Sequence, residues 1–341
     1  MTFQVRLAPS GHQFTTSSDE SILEAALRHG YALPYGCRNG CCGACKGKLL
    51  DGAVDYGTNP PAALTPADLQ NNVVLCCQAR ATQDLVLEIK EIASTAEQAT
   101  KVMPCKVVHK QKLSHDVVLL QLKPPASERM QFLAGQYIDI LLKDGRKRSF
   151  SIANPPHEDD LIELHIRHVE GGDFTGYIFD QLQEKDVLRI EGPHGNFYLH
   201  EDCSRPIIFM AGGTGFAPIK AIIEHAFAEG LSQAMYLYWG VRATEDLYLL
   251  PLVEQWLKQH DNFHFIPVLS APGTNDDSRS GYVHEAVIAD FGSSLVDYQV
   301  YAGGPPAMVK AGYEAFLAQG LDQAHYHSDP FEFQSPKASK S

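Results

Sequence analysis

Hydrophobic and polar positions change rhythm several times along the chain. Met1-Thr2-Phe3-Gln4-Val5-Arg6 alternates with the period of two of a half-buried strand. Ile22, Leu23, Ala26 and Leu27 then recur at helical spacing after the polar triplet Ser18-Asp19-Glu20, which predicts a helix from Ser21 through His29 with the triplet as its start signal. Lys48-Leu49-Leu50 and Val54 read as strands on either side of Asp51-Gly52, and Leu85-Val86-Leu87-Glu88-Ile89 as a closing strand. Short strands around one helix suit a β-grasp.

The alternation lapses over Glu91-Ile-Ala-Ser-Thr-Ala-Glu-Gln-Ala-Thr-Lys101, which is rich in small polar residues and reads as a linker. From Met103 to about Leu199 strand patterns return in Cys105–Val108, Val117–Leu122, Tyr137–Ile140 and Leu161–Ile166, separated by Gly and Pro turns. That spacing predicts a barrel or sandwich. After Pro206 strand and helix patterns alternate, as in a parallel sheet with helices on its faces. The chain therefore divides into residues 1–92, a linker at 93–102, residues 103–200 and residues 201–341. It reads as a multidomain protein of α+β and α/β class, since 341 residues exceed what one core supports.

Composition narrows the partners. The formal charge is −13 and no block of basic residues occurs, which argues against nucleic acid or an anionic membrane surface and leaves room for a basic protein. No stretch approaches bilayer-spanning length, and the first residues lack a signal-peptide layout. Free cysteines without an export signal point to a reducing cytoplasm.

The first chemistry is in Pro34-Tyr35-Gly36-Cys37-Arg38-Asn39-Gly40-Cys41-Cys42-Gly43-Ala44-Cys45. Cys37, Cys42 and Cys45 have the C-x4-C-x2-C spacing of a [2Fe-2S] site. Thiolates hold an iron pair only if a tight loop turns backbone N–H groups toward the sulfurs, and Gly36, Gly40 and Gly43 permit that wrap. A disulfide framework belongs to small secreted domains, and zinc favours paired C-x2-4-C ligands, so an electron carrier fits better. A fourth ligand comes from Cys76 or Cys77 in Val73–Gln78, while Cys41, Cys105 and Cys203 read as buried thiols.

Further motifs follow. Arg148-Ser149-Phe150-Ser151, Gly171-Gly172-Asp173-Phe174-Thr175-Gly176 and Glu191-Gly192-Pro193-His194-Gly195-Asn196-Phe197 lie in the third segment. In the last, Arg205-Pro206-Ile207-Ile208-Phe209-Met210-Ala211-Gly212-Gly213-Thr214-Gly215-Phe216-Ala217-Pro218 runs from an apolar strand through a glycine loop into the helix Ile219–Glu224. Such a strand–loop–helix is a dinucleotide site, although it lacks the G-x-G-x-x-G fingerprint. Tyr236–Arg242, Asp246–Tyr248, Val300–Met308 and Ser328–Glu332 come after it. Trp239 and Tyr248 also read as plain core, and Asp/Glu pairs as solvated surface.

In this order the motifs resemble the ferredoxin–NADP reductase superfamily carrying an N-terminal plant-type ferredoxin domain, over nearly the whole chain. The resemblance implies a β-grasp [2Fe-2S] ferredoxin, an antiparallel β-barrel FAD domain and a parallel-sheet nicotinamide domain. In plant-type ferredoxins the fourth ligand stands seven residues before an Asp that opens the last strand, and Asp84 lies seven after Cys77. This selects Cys77, with Cys76 an inward-facing neighbour. Arg148 would grip the FAD pyrophosphate, Phe150 would pack on the isoalloxazine where relatives usually have Tyr, and Ser151 would sit near the hydride-accepting edge. Gly172 would admit phosphate and Thr175 cap a helix Gly176-Tyr177-Ile178-Phe179. Gly212, Gly213, Thr214, Gly215, Pro218, Gly304 and Pro305 would hold NAD(P)H. Gly303 stands where relatives commonly have Cys, and Phe331 would shield the flavin, so Ser151 and Phe331 are the candidate catalytic residues.

Two groups share this layout. They are the reductase components of oxygenases and monooxygenases, and the CDP-6-deoxy-glucoseen reductases of deoxysugar biosynthesis. Tyr35–Gly40, Phe132–Gly145 and Gly215–His225 look more like the second. The implied activity takes hydride from NAD(P)H and passes single electrons through FAD and the cluster to a dehydratase or oxygenase component. NADH is favoured over NADPH because Glu245 and Asp246 would repel a 2′-phosphate, although Arg242 could pair with one. A monomer is expected, and a redox-sensing binding module is the alternative function.

Overall fold

The computed structural model describes the chain except residues 36–37, 39, 41–42, 58–60, 62, 90, 92–99, 201–202, 272, 274–277 and 332–341. It divides into two compact units, Met1–Ala96 and Glu97–Ser341.

The first unit holds β1 (Thr2–Ala8), β2 (Gln13–Ser17), α1 (Ile22–Arg28), β3 (Lys46–Asp51), β4 (Val54–Asp55), α2 (Pro66–Gln70), β5 (Val73–Leu75), β6 (Arg80–Ala81) and β7 (Leu85–Glu88). The sheet order is β2-β1-β7-β3-β5, with β1 and β7 parallel and a separate β4–β6 pair. Val5, Leu7, Leu85 and Leu87 point from alternate positions into one core with Ile22, Leu23, Ala25 and Ala26 of α1. This is the expected β-grasp. The helix start differs from the expected triplet. Ser21 is the cap, its hydroxyl accepting the Glu24 N–H at 3.2 Å while Glu24 accepts the Ser21 N–H at 2.8 Å. That reciprocal pair satisfies two donors that Ser18-Asp19-Glu20 do not reach. Asp51-Gly52 also joins strands that do not pair together, since β3 lies on β5 and β7.

The second unit begins with a barrel of β8 (Lys101–Lys112), β9 (Val117–Lys123), β10 (Tyr137–Leu141), β11 (Lys147–Ser151), β12 (Ile162–Arg167) and β13 (Val187–His194), with α3 (Asp173–Asp180). Its strands run β11-β10-β13-β8-β9-β12 through antiparallel neighbours, and an Ile152–Leu164 bridge joins the two ends. That bridge turns the sheet into a barrel, filled by Met103, Cys105, Leu120, Ile138, Ile140, Leu164 and Ile190.

The nucleotide lobe follows: β14 (Ile207–Gly212), α4 (Phe216–Ala228), β15 (Met235–Val241), α5 (Leu250–Gln259), β16 (Phe263–Leu269), β17 (Arg279–Ser280), α6 (Val283–Phe291), β18 (Gln299–Gly304), α7 (Pro306–Ala318) and β19 (Tyr326–Pro330). All six strands are parallel in the order β17-β16-β15-β14-β18-β19. Every residue of β14 and β18 is buried, as continuous apolar runs require when helices cover both faces. Because β14 is first in sequence but central in space, the chain reverses its winding beside it. The carboxyl ends of β14 and β18 therefore flank the crevice where ligands of such sheets bind.

Candidate functional site

At that crevice β14 passes through a short 3-10 turn, Gly213–Gly215, into α4. The turn meets the end of β18 backbone to backbone. A Cβ on Gly215 would stand 2.0 Å from the Gly303 carbonyl oxygen, and one on Gly304 would stand 2.9 Å from the Gly212 oxygen. Gly304 also adopts φ +138°, a conformation that only glycine holds without strain. A side chain at Gly303 would begin 2.8 Å from the Gly215 oxygen, so the close approach takes the room that a cysteine would fill. Behind the turn, the Trp239 Nε1–H donates to the Gly213 oxygen at 3.0 Å. The indole stacks on Phe216 at 3.9 Å and receives the edge of Tyr248 at 5.2 Å. Trp239 and Tyr248 are thus core residues that also brace the loop. The helix carries no side-chain cap, and its first amide, the Phe216 N–H, is taken by the Gly213 oxygen at the end of the 3-10 turn.

Arg167 was invisible to motif reading. It comes from β12 of the barrel, and its Nη1 lies where a Cβ of Gly213 would be, at 2.7 Å. Its Nε–H donates to Asp116 at 2.6 Å. Burial alone would raise the Asp116 carboxyl, and the guanidinium holds it below the usual range. The fixed fork brings positive charge to the glycine turn. The only sequence signal was the conjunction of an arginine ending a strand and an aspartate beginning its partner.

The barrel contributes the other wall. β11 carries Arg148, Phe150 and Ser151, with Tyr137 opposite Ser151 and Ile138 opposite Phe150. Phe150 is half-buried and 5.9 Å from Phe174 on the first turn of α3. Arg148 Nη1 donates to the Lys147 oxygen at 2.9 Å. The helix corrects one expectation: α3 spans Asp173–Asp180 with Gly172 at its cap, so Thr175 lies inside the first turn. The Thr175 hydroxyl instead accepts the Val169 N–H at 3.1 Å and fastens the preceding turn. Gly172 is needed there, since a Cβ would approach that hydroxyl to 2.8 Å.

The two walls meet at Ser151. Its buried hydroxyl donates to Asp329 at 3.2 Å, and the Phe331 N–H donates to the Gly304 oxygen at 2.8 Å. Ser151, Gly304, Asp329 and Phe331 therefore converge, while Pro218 is buried in α4 and Pro305 is the residue that caps α7. Asp329 is buried on the edge strand.

In the first unit, Cys37 and Cys42 lie outside the described residues. Cys45 and Cys77 are buried, and the Cys77 N–H points at the Cys45 sulfur at 3.5 Å. An N–H aimed at sulfur is what an iron-bound thiolate requires, so these residues fit a cluster. Gly40 and Gly43 have φ of +87° and +75°, and the Gln78 amide holds the Arg38 oxygen at 2.7 Å. Asp84 precedes β7 and accepts the Gln4 N–H at 2.8 Å.

Three family models match in the same order. They are the 2Fe-2S iron-sulfur cluster binding domain over residues 5–82, the oxidoreductase FAD-binding domain over 104–198 and the oxidoreductase NAD-binding domain over 209–313. The chain is 37% identical to the CDP-6-deoxy-L-threo-D-glycero-4-hexulose-3-dehydrase reductase of Yersinia pestis, over 97% of this chain and 99% of that protein. The chain belongs to the flavin iron–sulfur reductases. Reductase component 1 of a Comamonas terephthalate 1,2-dioxygenase is also 37% identical, over 97% of this chain and 98% of its own. The crystal structure of the Amycolatopsis cytochrome P450 reductase GcoB matches with TM-score 0.81 and 33% identity, over 96% of this chain and 98% of that one. The reductase is an NAD(P)H-dependent oxidoreductase that uses FAD and a [2Fe-2S] cluster to transfer electrons.

The glycine interlock gives a direct expectation. Gly215→Ala must push β18 away from the turn, and is expected to raise the KM for NADH at least about tenfold and lower the melting temperature. Gly273→Ala, with nothing within 4 Å of its Cβ, is the control expected to change neither. Steady-state kinetics and a thermal melt decide it.

Proposed function

We propose that this reductase delivers electrons from NADH to a dehydratase acting on a CDP-bound 6-deoxyhexulose. The observation that carries the reading is the likeness along the whole length to the Yersinia pestis reductase, whose name specifies that dehydrase. Relatives that serve oxygenases match over comparable lengths, so the partner assay must include both classes. When bound, FAD takes a hydrogen and its electron pair from NADH, leaving NAD+, and the cluster carries those electrons onward singly.

Each residue has a task in this reading. Arg148 and the uncapped start of α3 hold the flavin pyrophosphate, Phe150 lies on the ring, and Ser151 faces its reactive edge with Asp329 as hydrogen-bond partner. Gly212, Gly213, Thr214 and Gly215 receive the dinucleotide phosphates with Arg167, while Gly304, Pro305 and Phe331 shape the nicotinamide end. Cys37, Cys42, Cys45 and Cys77 ligate the iron pair. Cys77 is preferred over Cys76 because its amide addresses the Cys45 sulfur, whereas that of Cys76 goes to the Cys45 backbone oxygen. Glu245 is exposed beside Arg242, and Asp246 accepts the Ala243 N–H at 3.1 Å, which concentrates negative charge where a 2′-phosphate would lie. No described helix is long and apolar enough to cross a membrane, which is compatible with a monomer working in the cytoplasm.

Four measurements test these assignments. Purified reductase should reduce a CDP-6-deoxyhexulose dehydratase faster than an oxygenase component, and equal or reversed rates would overturn the partner assignment. The kcat/KM for NADH should exceed that for NADPH by about tenfold or more, as like-charge juxtaposition with a 2′-phosphate demands. Cys77→Ser should lose the cluster's EPR signal and cytochrome c reduction while keeping NADH-dependent ferricyanide reduction, and Cys76→Ser should keep all three. Arg148→Ala should retain iron but purify with substoichiometric FAD, since losing a charge-assisted fork costs about 2–3 kcal/mol. Full flavin occupancy in that variant would remove Arg148 from its role.

A further inference from the structure

Between Phe216 and Ile223 helix α4 is buried, and Lys220 is the single charge in that stretch. Among the described residues it is the only lysine in the buried core. Its ammonium has three protons and three acceptors. It lies 3.1 Å from the Ala153 oxygen, 2.8 Å from Glu224 and 3.2 Å from Glu163 on β12. Glu163 in turn accepts the Gln121 amide at 3.2 Å and lies 3.2 Å from His165 Nε2. The other nitrogen of His165 reaches the Tyr248 hydroxyl at 3.1 Å, and Tyr248 braces Trp239 behind the glycine turn. A continuous polar chain thus links the barrel to the nucleotide lobe. Burial opposes the charge on Lys220, but its two carboxylates hold it above its ordinary value. Burial would likewise raise Glu163, yet the His165 contact and Lys220 hold it far below the carboxylate range.

The position of this chain gives it meaning. Ala153 lies two residues beyond Ser151, and both of its backbone groups are fastened: its N–H to the Glu163 oxygen at 2.8 Å and its oxygen to Lys220. Lys220 lies five residues beyond Gly215, on the helix that starts at the dinucleotide turn. Burying charges carries a desolvation cost that their attraction offsets only where the geometry is close and the remaining donors and acceptors are satisfied. Apolar burial is non-directional, whereas the two hydrogen bonds and the ion pair of Lys220 have fixed partners.

We propose that Lys220 is a positioning residue, clamping the Ser151 edge of the barrel to the nucleotide helix so that hydride crosses a short, fixed gap. Its kinetic part rests on the flavin placement proposed above, whereas the mechanical part does not. Lys220→Met keeps the length of the side chain and removes the charge. In FAD-free protein, hydrogen exchange over residues 152–164 and 216–224 should quicken about tenfold or more, with β14 and β18 unchanged. In FAD-loaded protein, stopped-flow flavin reduction should slow about tenfold or more while the Kd for NADH stays within about twofold.

Unchanged exchange and reduction would overturn the clamp. Affinity and rate falling together, or exchange quickening throughout the lobe, would overturn it in favour of general destabilisation. Quicker local exchange with an unchanged reduction rate would overturn its part in hydride transfer. Failure of the flavin placement itself shows separately, as full FAD occupancy in Arg148→Ala. Should Lys220→Met not fold, Lys220→Met combined with Glu163→Gln and Glu224→Gln removes both stranded carboxylate charges, and the same readouts decide.

Discussion

The nucleotide lobe turns on one close approach, that of the Gly213–Gly215 turn to the end of β18. A backbone carbonyl occupies the place where a side chain at Gly215 would begin. This contact does more than save space. It fixes the carboxyl ends of the two central strands, and every group on the rim is placed relative to them. Trp239 holds the turn from below, Arg167 reaches it from the barrel, and the Phe331 amide hangs from Gly304 on the other side. The surrounding aromatic packing stabilises the arrangement by about 0.5–1.5 kcal/mol per ring pair beyond simple burial.

The same region shows how apolar and ionic contacts divide the labour. Phe216, Trp239, Tyr248 and Trp256 form a continuous aromatic block whose contribution is large and weakly directional. Glu163, His165 and Lys220 are embedded at its margin, where an unpaired charge would be costly. The block makes the lobe cohere, and the polar chain selects one orientation of lobe and barrel. His165 illustrates the balance. Burial drives it below its ordinary value despite the neighbouring carboxylate, so it serves as a neutral spacer between Glu163 and Tyr248.

What the sequence disclosed follows from the reach of each interaction. The cysteine spacing, the glycine turn and the alternating strands are local patterns, and all were legible because backbone geometry restricts neighbouring residues. Thr175 misled because a hydroxyl after Gly172 and Asp173 has the composition of a cap, but the helix begins two residues earlier and its hydroxyl turns backward. Arg167 with Asp116, and Lys220 with Glu163, are 51 and 57 positions apart, so no local window contains either pair. A lysine within Phe216–Ile223 was the one available sign, an ion in an apolar stretch that demands a buried partner. Asp329 with Ser151 likewise takes its partner from far along the chain.

Strand pairing in the first unit reaches into its metal chemistry. Lys46 pairs with Leu75 across β3 and β5, and the Cys76 N–H donates to the Cys45 oxygen at 3.1 Å. The segments bearing Cys45 and Cys77 are thereby joined by main-chain hydrogen bonds that owe nothing to iron. Part of the ordering entropy of metal binding is met during folding of the polypeptide. The register of two ligand-bearing segments is thus set by the sheet, and the metal need not draw them together from afar.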